Sequence, residues 1–289
     1  MKKFRFNENI NEFEIDHRCI EEGVKFAEKK NYPAIRIVDL KEDGKACYLD
    51  LSPLFGNTFI ESLSISDDVK ISKVSLEALY SMESLTKLSF QDKKIQPDYS
   101  KLSNLQVLYM KFSDLPTGFS CLEKMTDLLI TSLNHENCSF FDGLHSLKEL
   151  RLSGGKLQTL FGIEKAVNLM DVKIDHCSKL HDISSLSALK NLKNVHIEKC
   201  KLATDFSSLT DNTTLTHLFA STIDSISFIP TMPKLTSLHF WDLTDGDLSP
   251  LLEAKSLKEV DFYPNKKHYS YTFEEINSLL EKRHPQKIS

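Results

Sequence analysis

The sequence predicts an α/β solenoid, in which short parallel strands form a concave face and mostly 3-10 or irregular segments return along a convex face. A strand-like motif of three apolar residues recurs at intervals of 20–25 residues. Leucine supplies 41 of the 289 residues, and none precedes Leu40. A second, shorter motif accompanies several copies of the first. Because one such unit cannot bury its apolar side alone, the series implies stacking into a continuous core.

The strand motif consists of an apolar residue, two variable residues, an apolar residue, one variable residue and an apolar residue. Its fourth and sixth positions alternate with polar residues, which predicts a short strand with one buried face. We expect Ile35-Val38-Leu40 to begin the series. The ten further copies are Ile60-Leu63-Ile65, Leu85-Leu88-Phe90, Leu105-Leu108-Met110, Met125-Leu128-Ile130, Leu147-Leu150-Leu152, Leu169-Val172-Ile174, Leu192-Val195-Ile197, Leu215-Leu218-Ala220, Leu235-Leu238-Phe240 and Leu257-Val260-Phe262.

The returns between strands carry a second motif, D-[LIF]-S-x-L, which lies ten residues before a strand motif. It begins at Asp50, Asp182, Asp205 and Asp247. Asp and Ser side chains bond nearby backbone amides, so these returns favour turns and 3-10 segments. The longer repeat at residues 72–82 has room for a helical turn or two.

The ninth position of the strand motif is Cys177, Cys200 and Asn265 in three copies. Together with the unit length, this arrangement resembles the leucine-rich repeat family, and the Asp-x-Ser return resembles its internalin type, as found in bacterial stand-alone repeat proteins. The resemblance covers about residues 35–265. It implies a horseshoe or arc with the sheet on its concave face, and protein recognition as the usual role. It also implies that Cys177 and Cys200 bond the turn backbone.

We expect one domain with three parts. Residues 1–34 form an N-terminal cap of a strand and a helix, residues 35–265 form ten or eleven repeats, and residues 266–289 form a C-terminal helical cap. Phe4 and Phe6 alternate as in a strand, and Asp16 is placed to N-cap the helix that follows. Thr272 and Glu275 have the spacing of a capping box for the last helix.

Composition excludes several classes of protein. The net charge of −5, from 36 Lys and Arg against 41 Asp and Glu, lacks the basic excess of a nucleic-acid-binding protein. No apolar stretch approaches the roughly 18 residues of a membrane span, and the N-terminus does not have the form of a secretory signal. The six cysteines contain no CxxC pair, and neither common nucleotide-binding glycine motif occurs. We expect a cytoplasmic protein without a cofactor or metal, which binds neither nucleic acid nor membrane.

Variable positions 3, 5, 7 and 8 of each repeat point away from the core and define the expected binding face. An acidic majority there favours a partner with a basic or mixed-charge surface. The alternative is a solvated face of mixed charge. The acidic residues are Asp67, Asp92, Asp127, Glu149, Asp171, Asp175, Glu198, Asp242, Glu259 and Asp261, and the basic ones are Lys87, Lys111, Arg151, Lys173 and Lys199.

Aromatic side chains occupy these variable positions in neighbouring repeats near the C-terminal end. Adjacent strands lie about 4.8 Å apart, so we expect one exposed patch, and such patches mark interaction sites. Alternatively, Tyr269 and Tyr271 of the cap fold over part of it. The patch comprises His217, Phe219, His239, Trp241 and Tyr263; a smaller one comprises Tyr109, Phe112 and Leu129; Arg151, Glu259 and Asp261 complete the candidate partner-binding set.

Catalysis is the least favoured function. A shallow sheet has no deep pocket to shift the pKa values of neighbouring carboxylates. His196 and His239 lie two repeats apart, about 10 Å, too far to share a metal ion. We expect a non-catalytic module, monomeric when free, that binds a protein partner as an inhibitor or as a scaffold. An immunity protein that neutralises a toxin is one such inhibitor. A bacterial effector exported to bind host proteins is the alternative.

Overall fold

A computed structural model describes residues 3–41, 47–91, 95–111 and 116–283. The chain forms two compact units, residues 1–130 (unit 1) and residues 131–289 (unit 2). In both units, consecutive repeats contribute parallel strands whose apolar side chains form the core. The leucine-rich repeat fold expected from the sequence is therefore confirmed within each unit.

The described residues of unit 1 form a mostly parallel sheet and two short helices. In the sheet, β1 pairs antiparallel with β2, and β2, β3, β5, β7 and β8 follow as parallel neighbours, whereas β4 and β6 form a separate parallel pair. The strands are β1 (Phe4–Asn7), β2 (Glu12–Asp16), β3 (Ala34–Val38), β4 (Cys47–Leu49), β5 (Ser62–Ile65), β6 (Val69–Ile71), β7 (Lys87–Phe90), β8 (Val107–Lys111) and β9 (Asp127–Leu133), which begins in this unit; the helices are α1 (Ile20–Lys30) and α2 (Leu76–Tyr80).

In the described part of unit 2, six parallel strands follow β9 in chain order and one helix follows them. The fourth and sixth positions pair directly across neighbouring strands, for example Leu238 with Val260 and Phe240 with Phe262. This register is the one the repeats predict. The elements are β10 (Glu149–Gly155), β11 (Asp171–Asp175), β12 (Asn194–Glu198), β13 (His217–Ile223), β14 (Ser237–Leu243), β15 (Glu259–Phe262) and α3 (Phe273–Arg283).

The return segments are mostly 3-10 turns, as the short units predict. The expected helical turn within residues 72–82 is confirmed by α2. In all four D-[LIF]-S-x-L motifs, the backbone N–H two residues after the Asp donates to its Oδ1 at 2.9 Å. Hydrogen bonds from the serine hydroxyl and from this backbone N–H together lower the pKa of each of the four carboxyls. The motif therefore closes the turn that starts each 3-10 segment.

A ladder of hydrogen bonds also joins the return segments of consecutive repeats. An Asn or Ser directly before the first apolar position donates its side chain to a backbone carbonyl 21–24 residues earlier. This ladder was not predicted from the sequence, because a single polar position in each repeat is its only signal. Its members are Ser84, Asn104, Asn168, Asn191 and Ser256.

The register expected for the first repeat is wrong. Ile35 pairs with Leu63 and Ile37 pairs with Ile65, so these two isoleucines occupy the fourth and sixth positions. Leu40, expected at the sixth position, lies beyond the end of β3 and is only half-buried. The three apolar residues at 35, 37 and 38 fit two registers, and only pairing with neighbouring strands selects between them.

The N-terminal segment also differs from expectation. Phe4 begins the predicted strand, but a second strand, β2, follows and pairs in parallel with β3. Asp16 does not cap α1, because the helix begins four residues later and Cys19 occupies its N-cap. The Asp16 carboxylate instead accepts from the backbone and side chain of Arg18.

The capping box at the last helix is confirmed. The Thr272 N–H donates to Glu275 Oε2 at 2.8 Å, and the Glu275 N–H donates to Thr272 Oγ1 at 3.2 Å. Ile276 and Leu280 turn into the core of unit 2. Pro285, expected beyond the helix end, lies outside the described residues.

The corrected register of the first repeat predicts two unequal alanine substitutions. Ile37 is fully buried, so Ile37→Ala should lower the free energy of unfolding by about 2–5 kcal/mol through lost contacts and a cavity. Leu40→Ala should lower it by less than about 1 kcal/mol, because its side chain is half-buried. Urea unfolding of both variants measures the difference, and a larger loss at Leu40 would restore the original register.

Candidate functional site

The sheet face of unit 2 that is turned away from the core, here called the open face, carries the variable positions in straight columns. Position 5 runs across the six strands in direct register, from Arg151 to Asp261. Strand spacing of about 4.8 Å places the members of a column within reach of one another. The full column is Arg151, Lys173, His196, Phe219, His239 and Asp261.

An aromatic cluster forms where this column meets position 7. The His196 ring stacks on Phe219 with centroids 4.2 Å apart and planes at 13°. Trp241 meets Phe219 edge-on, at 5.5 Å and 84°. The aromatic cluster is therefore His196, Phe219 and Trp241. His196 was not expected in it, although its place beside Phe219 in the position 5 column is a signal available in the sequence.

Trp241 and Tyr263 are exposed rather than covered. Their accessible fractions are 42% and 81%. Tyr269, one of the two residues expected to cover them, packs against the core rings of Phe240 and Phe262 instead. Its hydroxyl accepts from the Leu243 N–H at 3.0 Å. Tyr269 thus closes the end of the core and leaves the exposed ring of Trp241 to solvent.

The remaining residues of the predicted patch border the aromatic cluster without stacking on it. His239 Nε2 lies 3.4 Å from Glu259 Oε1 and 3.1 Å from Ser237 Oγ. His217 is exposed, and its Nδ1 bonds the Thr216 hydroxyl. Glu259 and Asp261 are exposed on β15.

Arg151 belongs to a different cluster at the other end of the open face. Its Nε lies 3.3 Å from Asp175 Oδ2, and the same carboxylate accepts from Ser153 Oγ and lies 2.8 Å from His176 Nδ1. Asp175 was expected to point outward as one of the acidic residues of the binding face, but its neighbours bury it almost completely. Burial alone raises the pKa of this carboxyl, yet the bonds from Ser153 and His176 and the Arg151 charge outweigh burial and lower it.

Two further carboxylates of the open face are also neutralised within the unit. Glu198 accepts from His196 and pairs with Lys199, and these contacts lower its pKa despite partial desolvation. Asp242 pairs with Lys266 from the segment before α3. The negative charge of this face that remains after internal pairing therefore lies on its other carboxylates.

Tyr109 of the smaller predicted patch lies in unit 1 and is held by polar contacts. The Tyr109 hydroxyl donates to Asp127 Oδ2 at 2.7 Å, and Lys87 Nζ stands 5.5 Å from the ring centroid. Phe112 and Asp92 lie outside the described residues. Tyr109 is consequently positioned by its own neighbours rather than presented as an open ring.

On the corresponding sheet face of unit 1, the buried carboxylate of Glu12 bridges side chains of neighbouring strands. Glu12 accepts from Ser64 Oγ at 2.7 Å and lies 3.8 Å from Lys87 Nζ and 4.0 Å from an Arg36 nitrogen. In the row of side chains that runs across the strands from Glu12 to Lys87, β3 contributes Ala34 and β5 contributes Ser62. Because these two side chains are small, the longer Glu12 and Lys87 side chains can meet over them.

Groups that could support metal or thiol chemistry have structural contacts. Cys177 Sγ donates to the Asp175 and Gly154 carbonyls, and Cys200 Sγ donates to the Glu198 carbonyl. These bonds match the role implied for the ninth position. Within residues 3–41, 47–91, 95–111 and 116–283, no three His, Cys, Asp or Glu side chains are grouped to hold a metal ion.

Regular strand register and buried fourth and sixth positions define the fold of a leucine-rich repeat protein. No family model matches the chain, and no curated protein matches it. Among solved structures, internalin C2 of Listeria monocytogenes is 21% identical over 57% of this chain and 76% of its own, with a TM-score of 0.43.

Two further solved structures have comparable scores. A Listeria monocytogenes internalin (inlF) is 16% identical, covering 88% of this chain and 93% of its own, with a TM-score of 0.40. A leucine-rich repeat protein of Leptospira interrogans is 17% identical, covering 90% and 85%, with a TM-score of 0.40. Among the described residues, no helix has both the length and the apolar character of a membrane span.

The buried carboxylate of Asp175 predicts a pH-dependent contribution to stability. Asp175→Asn should destabilise the protein by about 1.5–3 kcal/mol near neutral pH, because it removes charge-assisted bonds. The native pKa is lowered, so this contribution is present above the unfolded pKa of about 3.9 and is lost as pH falls through the native value. Urea unfolding of both proteins between about pH 7 and pH 3 should show the gap closing with acid. A constant gap would contradict the assignment.

Proposed function

We propose that this protein is a non-catalytic interaction module that binds a protein partner through the open face of unit 2. The observation that carries the proposal is the aromatic cluster, whose tryptophan is exposed on a strand rather than on a loop. Trp, Tyr and Arg dominate the binding energy of protein interfaces. A side chain fixed on a stacked strand also loses little conformational entropy on binding.

The arrangement of charge supports a protein partner with a basic or mixed-charge surface. Exposed Glu259 and Asp261 border the aromatic cluster, which gives an apolar centre with a polar rim, as in many interfaces. Complementary charge at such a rim orients the partner and raises its association rate. Neither nucleic acid nor a membrane surface is complementary to exposed carboxylates.

In the same proposal, the module works as an inhibitor that masks its partner, of the immunity type that neutralises a toxin, or as a scaffold. It acts in the cytoplasm, needs no cofactor and is monomeric until its partner binds. A rigid stack suits either role, because the binding face is preorganised before the partner arrives.

The test is capture of a partner from a lysate of the source cells by the wild-type protein and by the double variant Phe219→Ala, Trp241→Ala. One protein should be retained by the wild type and lost by the variant. With that protein purified, calorimetry should show the double variant binding at least about thirtyfold more weakly, which corresponds to about 2 kcal/mol.

A matched control separates the aromatic cluster from exposed aromatic surface in general. Phe161 of unit 2 is 61% exposed and lies in a return segment outside the open face. Phe161→Ala should retain the partner, and circular dichroism should show that all variants remain folded. Equal capture by the wild type and the double variant would contradict the proposed surface.

A further inference from the structure

One corner of the open face carries negative charge that no described lysine or arginine side chain pairs with. Glu259 is exposed, with a side-chain accessible fraction of 65%, and among the described residues its one ionic contact is His239 at 3.4 Å. Asp261 is exposed and has no ion pair among the residues that the structure describes. Both belong to β15. By contrast, Asp175 and Asp242 are each neutralised by a basic side chain.

The exposed tryptophan stands beside one of these carboxylates, Asp261. Asp261 is in register with His239, so Trp241, two residues further along β14, lies diagonally across from it. Diagonal neighbours on adjacent strands are about 7–8 Å apart, within reach of long side chains. Tyr263, two residues beyond Asp261, is the most exposed aromatic ring of this corner. We define the β15 corner as Trp241, Glu259, Asp261 and Tyr263.

The ring geometry leaves a face of Trp241 open. Because Trp241 and Phe219 are nearly perpendicular, at 84°, their contact covers at most one face of the indole. His196 already stacks on Phe219. An incoming planar group therefore finds its stacking surface on Trp241, with Asp261 of the next strand diagonally beside it and Glu259 two residues before Asp261 on the same strand.

We infer that the β15 corner binds an arginine side chain of the partner, an inference that rests on the proposed function and specifies the chemistry of its anchor. A guanidinium is planar, so it stacks on an indole while its in-plane N–H groups donate to a carboxylate. A lysine ammonium is a compact and strongly hydrated charge, and it cannot do both. Lys266 does not repel the ligand strongly, because Asp242 neutralises it.

Trp241 is the only tryptophan of the chain, so its fluorescence reports this corner alone. The probe is a short glycine-flanked peptide with one central arginine and blocked ends, titrated to about 10 mM because a single side-chain anchor binds weakly. Matched peptides carry lysine or citrulline, the neutral isostere of arginine. The arginine peptide should give a saturable change, with affinity at least about fivefold higher than for lysine and tenfold higher than for citrulline.

Variants locate the anchor by peptide anisotropy, with the arginine peptide fluorescently labelled. Asp261→Asn combined with Glu259→Gln should weaken binding at least about fivefold, and Trp241→Ala about tenfold or more. Glu149→Gln is the control, because it removes an exposed carboxylate of the same face on β10, and it should change affinity less than twofold. Equal affinities for arginine and citrulline, an equal effect of Glu149→Gln, or no saturable change would overturn the inference.

Failure of the arginine anchor and failure of the proposed function give different results. If the Phe219→Ala, Trp241→Ala variant loses its partner but the arginine peptide does not bind, the surface is right and the anchor is apolar. If the peptide binds as expected but no partner depends on the aromatic cluster, the corner has the inferred chemistry and the proposed function is wrong.

Discussion

The register of parallel strands is the constraint on which the rest of each unit depends. A single repeat presents two or three apolar side chains on one face of a short strand, too little to bury alone. When Leu218 pairs with Leu238 and Ala220 with Phe240, both repeats exclude water from the same core. In the repeats that have them, the Asp-x-Ser turns and the Asn and Ser ladder then fix the return segments, so that these repeats re-enter the sheet at the same position.

The same register determines what the outward positions can do. Since the core holds the fourth and sixth positions, the odd positions between them are free to vary and still stand in straight columns. Side-chain contacts on this face therefore form between neighbouring strands rather than along a single strand. Arg151, Ser153 and Asp175 come from two repeats and form one ion-paired cluster, and Phe219 and Trp241 come from two others and form the aromatic contact.

Most of the fold could be predicted from the sequence because the buried apolar positions recur every 20–25 residues. A strand register that is ambiguous in one repeat is then indicated by the others. The prediction failed where the period has no preceding copy, at Ile35 and Ile37, because two registers bury similar side chains there. It also failed at Asp16, where the carboxylate prefers a nearby guanidinium to the helix end. Strand β2 was not predicted, because it precedes the first copy of the motif.

The candidate site was predicted in outline but not in its electrostatics. Column neighbours follow from spacing, so Phe219 and Trp241 were found together. Whether a carboxylate is paired depends on rotamers and on distant segments, as when Lys266 reaches Asp242. A count of outward charges therefore overstates the negative field of the open face.

Internal pairing also determines where on the open face a partner gains free energy. A partner cation that approaches Asp175 must compete with Arg151, Ser153 and His176, and breaking a buried pair costs more than an exposed one returns. Glu259 and Asp261 impose no such cost, because no strong internal pair is broken when a cation arrives. Since Trp241 stands diagonally across from Asp261, apolar burial and an unneutralised charge coincide at one corner. Binding there would gain from both, which is the physical reason to place the centre of the proposed interface at β14 and β15 rather than at β10 and β11.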